Sequence, residues 1–149
     1  MINHRTDESY VSEFNMTTTK LIKLLEKKSR SEAEIANLDR LRQRLTLLRS
    51  TDREAPVRDS YPVFFEYQSK ILDPIKANRE EFFLNLDVRG EYIHKGNVIK
   101  PEDESIFSLI DSIKIHYTKC SEAEKNGIYE DVKKMLVCSI GYKRNHLAA

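Results

Sequence analysis

The sequence predicts an all-α protein, a compact bundle of about five helices. Only four glycines and four prolines occur among the 149 residues, so few positions interrupt a helix. Hydrophobic residues make up 40% of the chain and charged residues 33%, and apolar positions recur at intervals of three and four. A short alternating stretch around Lys95-Gly96 leaves open one short β-hairpin near residues 91–100.

The length favours one domain. We expect a single helical domain over residues 10–143, between a flexible N-terminus at 1–9 and a flexible C-terminus at 144–149. No apolar leader and no membrane-spanning run is seen in the sequence, so neither secretion nor membrane insertion is expected. The compartment is therefore expected to be reducing, with Cys120 and Cys138 as free thiols.

The first two helices are predicted to form an antiparallel hairpin. The first is expected over about Tyr10 to Lys28, with one apolar stripe. The tetrapeptide Ser31-Glu32-Ala33-Glu34 is a capping box. In it the Ser31 hydroxyl can accept from the amide of residue 34, and the Glu34 carboxylate can accept from the amide of residue 31. It should start a helix to about Ser50, and the short connection places the two helices side by side.

The third helix is predicted to begin at a serine. Residues 51–59 are polar and contain a proline, which indicates a loop. Ser60 is expected to cap the helix, with Pro62 in its first turn, where a missing N–H is harmless. Pro74 should end or kink this helix, and a second capping pattern predicts a short helix over 78–86.

An aromatic cluster marks the centre of the predicted core. Four of the six phenylalanines lie between residues 64 and 83. Their density and helical spacing predict that Phe64, Ile71, Phe82 and Phe83 are buried.

The last two helices have clear start signals. Pro101 is followed by three acidic residues, which favour the positive end of a helix dipole. Ser121-Glu122-Ala123-Glu124 repeats the earlier capping box and should start the final helix, for which Gly141 is the predicted stop.

No motif of a known catalytic site occurs in the chain, and we expect no enzyme activity, no catalytic residue and no cofactor. Paired acids lie where helices should begin, so capping explains them. His116 and Cys120 share a helix face, but a zinc site needs three or four ligands. No metal is therefore expected.

Basic residues of the second helix are the candidates for partner binding. Residues 20–53 hold ten lysines or arginines against five acids, although the whole chain has a net charge of only +1. The candidates are Arg40, Arg42, Arg44 and Arg49. Arg40 and Arg44, four residues apart, share one helix face. Arg42 and Arg49, seven residues apart, share another. A solvated face that contacts protein is favoured, because the helix lacks aromatic residues for base stacking; nucleic-acid or chromatin binding by the basic helix 31–50 is the alternative.

The apolar spacing, the Glu-Phe-Phe element and the aromatic residue of the final helix resemble small helical proteins of nucleocytoplasmic large DNA viruses. The positions concerned are Phe14, Leu21, Phe64 to Ile71, Glu81 to Leu84, Glu124, Lys125, Ile128, Tyr129, Val132 and Leu136. The final helix of those proteins often carries Trp where this chain has Tyr129. The resemblance covers about two thirds of the chain and brings no catalytic residues with it.

This resemblance implies a late, non-enzymatic viral protein that acts through protein–protein contacts, as a minor capsid protein or another virion component. Its expected partners are other viral proteins, including those of the capsid, and self-association stays open. The expected location is the virion or the cytoplasm or nucleus of the host cell.

Overall fold

The computed structural model describes residues 5–76, 80–100 and 103–147, and these residues form seven helices and no strand. The helices are α1 (Asp7–Lys28), α2 (Glu32–Thr51), α3 (Ala55–Lys76), α4 (Glu80–Leu84), α5 (Val88–His94), α6 (Glu104–Tyr117) and α7 (Glu122–Leu147). The all-α prediction is confirmed. The number of helices exceeds five. The short helix α4 lies within residues 78–86, where one was predicted, and α5 is a further short helix that the sequence did not predict.

Helix α7 packs along both α1 and α3, and α2 packs against α1, α3 and α6. Helices α1 and α2 are antiparallel, as predicted. Thr19 contacts Arg49, and Glu26, nearer the connecting turn on α1, contacts Arg42, nearer the same turn on α2. The register of this pair decides which basic side chains of α2 face α1.

Three of the four predicted core residues are buried, namely Phe64, Ile71 and Phe83. The prediction for Phe82 is wrong, since 60% of this residue is exposed while Phe83 is only 1% exposed. Successive side chains of an α-helix point about 100° apart, so a short helix lying on a core buries only one of two neighbours. Helix α4 has five residues and follows this rule.

Helix α3 begins at Ala55 and not at Ser60. The Ser60 hydroxyl donates to the Pro56 carbonyl oxygen at 2.6 Å inside the helix and caps nothing. Ala55 and Val57 are buried, so the apolar contacts of the first turn favour helix over the polar loop that the sequence suggested. Pro62 consequently lies in the helix interior.

The β-hairpin predicted near residues 91–100 is wrong, because its first half belongs to helix α5. The Asp87 carboxylate accepts from the Gly90 amide at 2.9 Å and caps this helix. The Tyr92 ring packs on the core ring of Phe107, with 5.3 Å between the centroids. Gly96, at φ +90°, makes the turn that follows the helix and not a hairpin turn.

The first and last helices are longer than predicted. Thr6 accepts from the Ser9 amide at 3.2 Å, so α1 begins at Asp7, within the segment expected to precede it. Helix α7 continues past Gly141 to Leu147. Gly141 is a packing position, since a Cβ there would collide with the Tyr10 ring of α1. The absence of a side chain thus lets α1 approach α7 closely.

Two predicted helix starts, at Asn78 and at Pro101, lie outside the described residues. Within the described ranges, no helix has both the length and the apolar character needed to cross a membrane.

Candidate functional site

Helix α1 is bordered by two open hollows, one on each flank. The α1–α7 groove has a volume of about 600 Å³, and the α1–α2 cleft has a volume of about 250 Å³. Thr19 and Lys23 line both, so one face of α1 forms the ridge between them. Lysines three or four residues apart lie on neighbouring positions of this face, so Lys20 and Lys27 line the α1–α7 groove and Lys23 lines both hollows.

The α1–α7 groove has an apolar floor. Met16 and Leu24 of α1 line it, and Met16 is 72% exposed. On α7 it is lined by Gly127, where an added Cβ would meet no atom within 4 Å. The missing side chain therefore keeps the groove wide at its middle.

The charges along this groove are unevenly compensated. On the α7 side, Asp131 pairs with Lys20 at 3.5 Å, and Glu124 pairs with Lys28 at 2.7 Å. Lys23 and Lys27 are exposed on the α1 side, and neither forms an ion pair with any residue that the structure describes. The rim of α1 is therefore positive, while the acids opposite are already neutralised.

The α1–α2 cleft holds an arginine, Arg49, that has no acidic partner in the part of the chain that the structure describes. The half-buried Arg49 donates from Nη1 to the Thr19 hydroxyl at 3.2 Å, and its buried Nε has no hydrogen-bond partner among the described residues. Burial lowers the pKa of Arg49, because the charged form loses hydration that no carboxylate replaces. The neighbouring Arg42 differs, since it forms an ion pair with Glu26.

The four predicted partner-binding arginines do not form one surface. Arg42 and Arg49, the pair a heptad apart, both line the α1–α2 cleft. Arg40 is exposed and bonds Asn37 of its own helix, and Arg44 is exposed outside this cleft. The sequence analysis did not include Lys23 among the candidates. The pattern that could have indicated it is the helical spacing of Lys20, Lys23 and Lys27, with few acids beside them.

The predicted metal candidates have structural roles in the described residues. His116 is 2% exposed, with Nδ1 2.8 Å from the Ser112 carbonyl oxygen and Nε2 3.1 Å from the Ser29 hydroxyl. Burial raises the pKa of the Cys120 thiol and raises that of Cys138 to about 11, which disfavours the thiolate that binds metals. No group of three or more metal-ligating side chains occurs in the described part of the chain.

Two turns at one end of the bundle exchange ion pairs, and we call them the crossed turns, residues 28–34 and 119–124. Lys28 at the end of α1 pairs with Glu124 at the start of α7 at 2.7 Å. Lys119, just after α6, pairs with Glu34 at the start of α2 at 2.8 Å. The ammonium of Lys119 and the Arg30 amide lower the pKa of Glu34 to about 2.

The two hollows thus offer apolar walls, hydroxyl groups and uncompensated positive charge, which is the chemistry of recognition of anionic or amphipathic ligands. Comparison of the chain with protein-family models, with curated proteins and with solved structures finds no match.

Proposed function

We propose that this protein is a non-enzymatic binding protein that holds an acidic amphipathic helix of a partner protein in the α1–α7 groove. The observation that carries the proposal is the exposed Met16 on the groove floor beside Lys23 and Lys27 on its rim, which form no ion pair with a described residue.

The shape of the groove suits a helix. An amphipathic helix docks by placing apolar side chains at i, i+3 or i+4 and i+7 into a groove between two helices. The volume of about 600 Å³ accommodates several such side chains, and Gly127 leaves the middle of the groove open. The flexible thioether of Met16 can adjust to anchors of different shape.

The charge of the groove favours an acidic partner. Lys23 and Lys27 can each pair with a carboxylate on the flank of the docked helix, which steers association and fixes the register. Asp131 and Glu124 would otherwise repel such a partner, but Lys20 and Lys28 already neutralise them. Burying the apolar face of the partner against Met16 and Leu24 supplies the main driving force.

The resemblance to small helical proteins of large DNA viruses supports a viral context for this binding. On that basis the partner is another viral protein, and the chain works as a virion component such as a minor capsid protein. The nucleic-acid alternative is supported by the basic residues around Arg49 and would use the other flank of α1.

The test is a titration monitored by NMR with a synthetic helical peptide that carries leucines at i, i+3 and i+7 and glutamates on one flank. We expect shifts centred on Met16, Lys23 and Leu24, and loss of binding in Gly127→Leu, which fills the groove. Asn126→Leu is the matched control, because it adds the same side chain at an exposed neighbouring position outside the groove.

Equal binding of the same peptide with lysines in place of glutamates, or full binding by Gly127→Leu, would contradict the proposal. Self-association that shifts the same residues in the absence of peptide would identify a second copy as the occupant. Duplex DNA binding with a log–log salt slope of about −0.9 per phosphate contact, lost in the double variant Arg42→Ala, Arg49→Ala, would establish the alternative.

A further inference from the structure

We propose that the α1–α2 cleft binds a small oxyanion of the phosphate class, held by the guanidinium of Arg49 with Lys23 and Arg42 beside it. This inference concerns the opposite flank of α1 from the partner groove. Lys23 lines both hollows, but Arg49 and Arg42, on which the oxyanion site depends, line only the α1–α2 cleft.

The first argument is the state of Arg49. A buried or half-buried cation is ordinarily paired with a carboxylate, because desolvation of an unpaired charge is unfavourable. Arg49 has only the Thr19 hydroxyl as an acceptor among the described residues, and one of its five N–H donors is used there. Its pKa is lowered by burial with no acid to offset the effect. A bound anion would supply the missing acceptors.

The second argument is the charge of the cleft. Its lining includes Lys23, Arg42 and Arg49, and the acid Glu26 is engaged with Arg42. The lining therefore carries a net charge of two positive units, which matches a dianion such as a phosphate monoester. The planar guanidinium is suited to bind two oxygens of one phosphate at once.

The third argument is space and polarity. The cleft has a volume of about 250 Å³, which leaves room for a phosphate and part of an attached group. Thr46 lines it with a hydroxyl group that can donate to a phosphate oxygen, whereas the Thr19 hydroxyl already donates to the Asn15 carbonyl oxygen at 3.0 Å. Ile22 forms an apolar wall, which raises the strength of the electrostatic interactions inside.

The test is isothermal titration with inorganic phosphate and with glycerol phosphate, at an ionic strength held constant with sodium chloride. We expect saturable binding that falls at least about tenfold in Arg49→Met, since a charge-assisted bidentate contact is lost. Lys23→Gln should weaken binding by a smaller factor. Because Lys23 is exposed, this variant should fold normally and so tests the site even if Arg49→Met folds poorly. Arg44→Met is the control, because it removes an arginine of the same helix that lies outside the cleft.

Binding by wild type that both cleft variants retain, or an effect that chloride alone reproduces, would overturn the proposal. Binding of both probes, lost in Arg49→Met and kept in Arg44→Met, supports a site for phosphomonoesters. Binding of inorganic phosphate alone, with the same dependence on the variants, supports a site for the free ion. Loss of phosphate binding in Arg49→Met, with unchanged peptide binding, would separate this site from the partner groove.

Discussion

The crossed turns and residues 23–27 of α1 use cationic side chains in opposite ways. In the crossed turns, Lys28 and Lys119 each face a glutamate across the bundle at 2.7 and 2.8 Å. Toward the C-terminal end of α1, Lys23 and Lys27 have no acidic partner among the described residues, and neither has Arg49 of α2. The position of a cation relative to the neighbouring helix therefore decides whether it stabilises the fold or stays available for a ligand.

The difference originates in the capping boxes. Each box places a glutamate in the first turn of a helix, where the carboxylate bonds a backbone amide and favours the helix dipole. Such a glutamate lies beside the end of another helix, where basic residues are favoured for the same reason. Residues 23–27 of α1 face no capping glutamate, and the acid among them, Glu26, pairs with Arg42 of α2.

The largest expected loss of stability comes from truncation of His116, whose side chain contacts Ser29 in the crossed turns. His116→Ala should lower the free energy of unfolding by about 2–4 kcal/mol, because it leaves a cavity and removes the partner of Ser29. Chemical denaturation measures the loss. His94→Ala, at an exposed histidine, should change stability by less than about 0.5 kcal/mol, and equal effects of the two would contradict a structural role for His116.

Removal of the caps tests whether the two turns are equivalent. Ser31→Ala and Ser121→Ala should each lower stability by about 1 kcal/mol, because each hydroxyl accepts from the amide three residues later at 3.2 Å. Thermal unfolding of both single variants and the double variant gives their coupling. Ser69→Ala, at an exposed position inside α3, is the control and should not destabilise. Strictly additive effects would show that the ion pairs between the turns do not couple them.

Removal of the Arg49 charge should change the free energy of unfolding by less than about 0.5 kcal/mol in either direction. Arg49→Met keeps the aliphatic contacts of the side chain and relieves an uncompensated charge, which offsets the loss of the bond to Thr19. Lys119→Met, which leaves Glu34 without its partner, should be the more destabilising substitution. Denaturation of the two variants side by side measures this, and a clearly less stable Arg49→Met would mean that Arg49 supports the fold.

The pH dependence of stability offers the finest test. The pKa of Glu34 is about 2 in the folded protein, below its ordinary value of 4.5. The unfolded chain therefore binds more protons between these values, so the stabilisation is present above pH 4.5 and is lost as the pH falls toward 2. Unfolding measured from pH 6 to pH 3 should show a shallower decline in Glu34→Gln. Glu32→Gln, an exposed neighbour, should follow wild type, and identical slopes in all three proteins would refute the assignment.

The sequence predicts best those features that depend on local chemistry. Both capping boxes are found, because a serine and a glutamate three residues apart satisfy amides of their own turn. In the first box the glutamate bonds the amide of Arg30, one residue before the position expected. Ser60 offers a similar hydroxyl but has no glutamate three residues later, and it caps nothing because burial of Ala55 and Val57 makes the helix begin before it.

The candidate site was predicted only in part for a related reason. The heptad spacing correctly placed Arg42 and Arg49 together, since residues seven apart lie on one helix face. It could not show that Lys23 faces them or that Arg49 lacks an acid, because both depend on the register between α1 and α2. The exposure of Phe82 likewise depends on how α4 lies on the core.

The antiparallel packing of α1 on α7 has a consequence for the order of folding during synthesis. Asp7 of α1 contacts Asn145 of α7, a pair 138 positions apart in the chain. The apolar stripe of α1 leaves the ribosome early, yet the helix that covers most of it emerges last among the described elements. Phe14 also packs against Phe64 of α3, with 6.5 Å between the ring centroids, so part of this stripe can be covered before α7 is made. Completion of the core therefore depends on contacts between residues far apart in the chain, and the part of α1 that faces α7 stays uncovered until α7 is made.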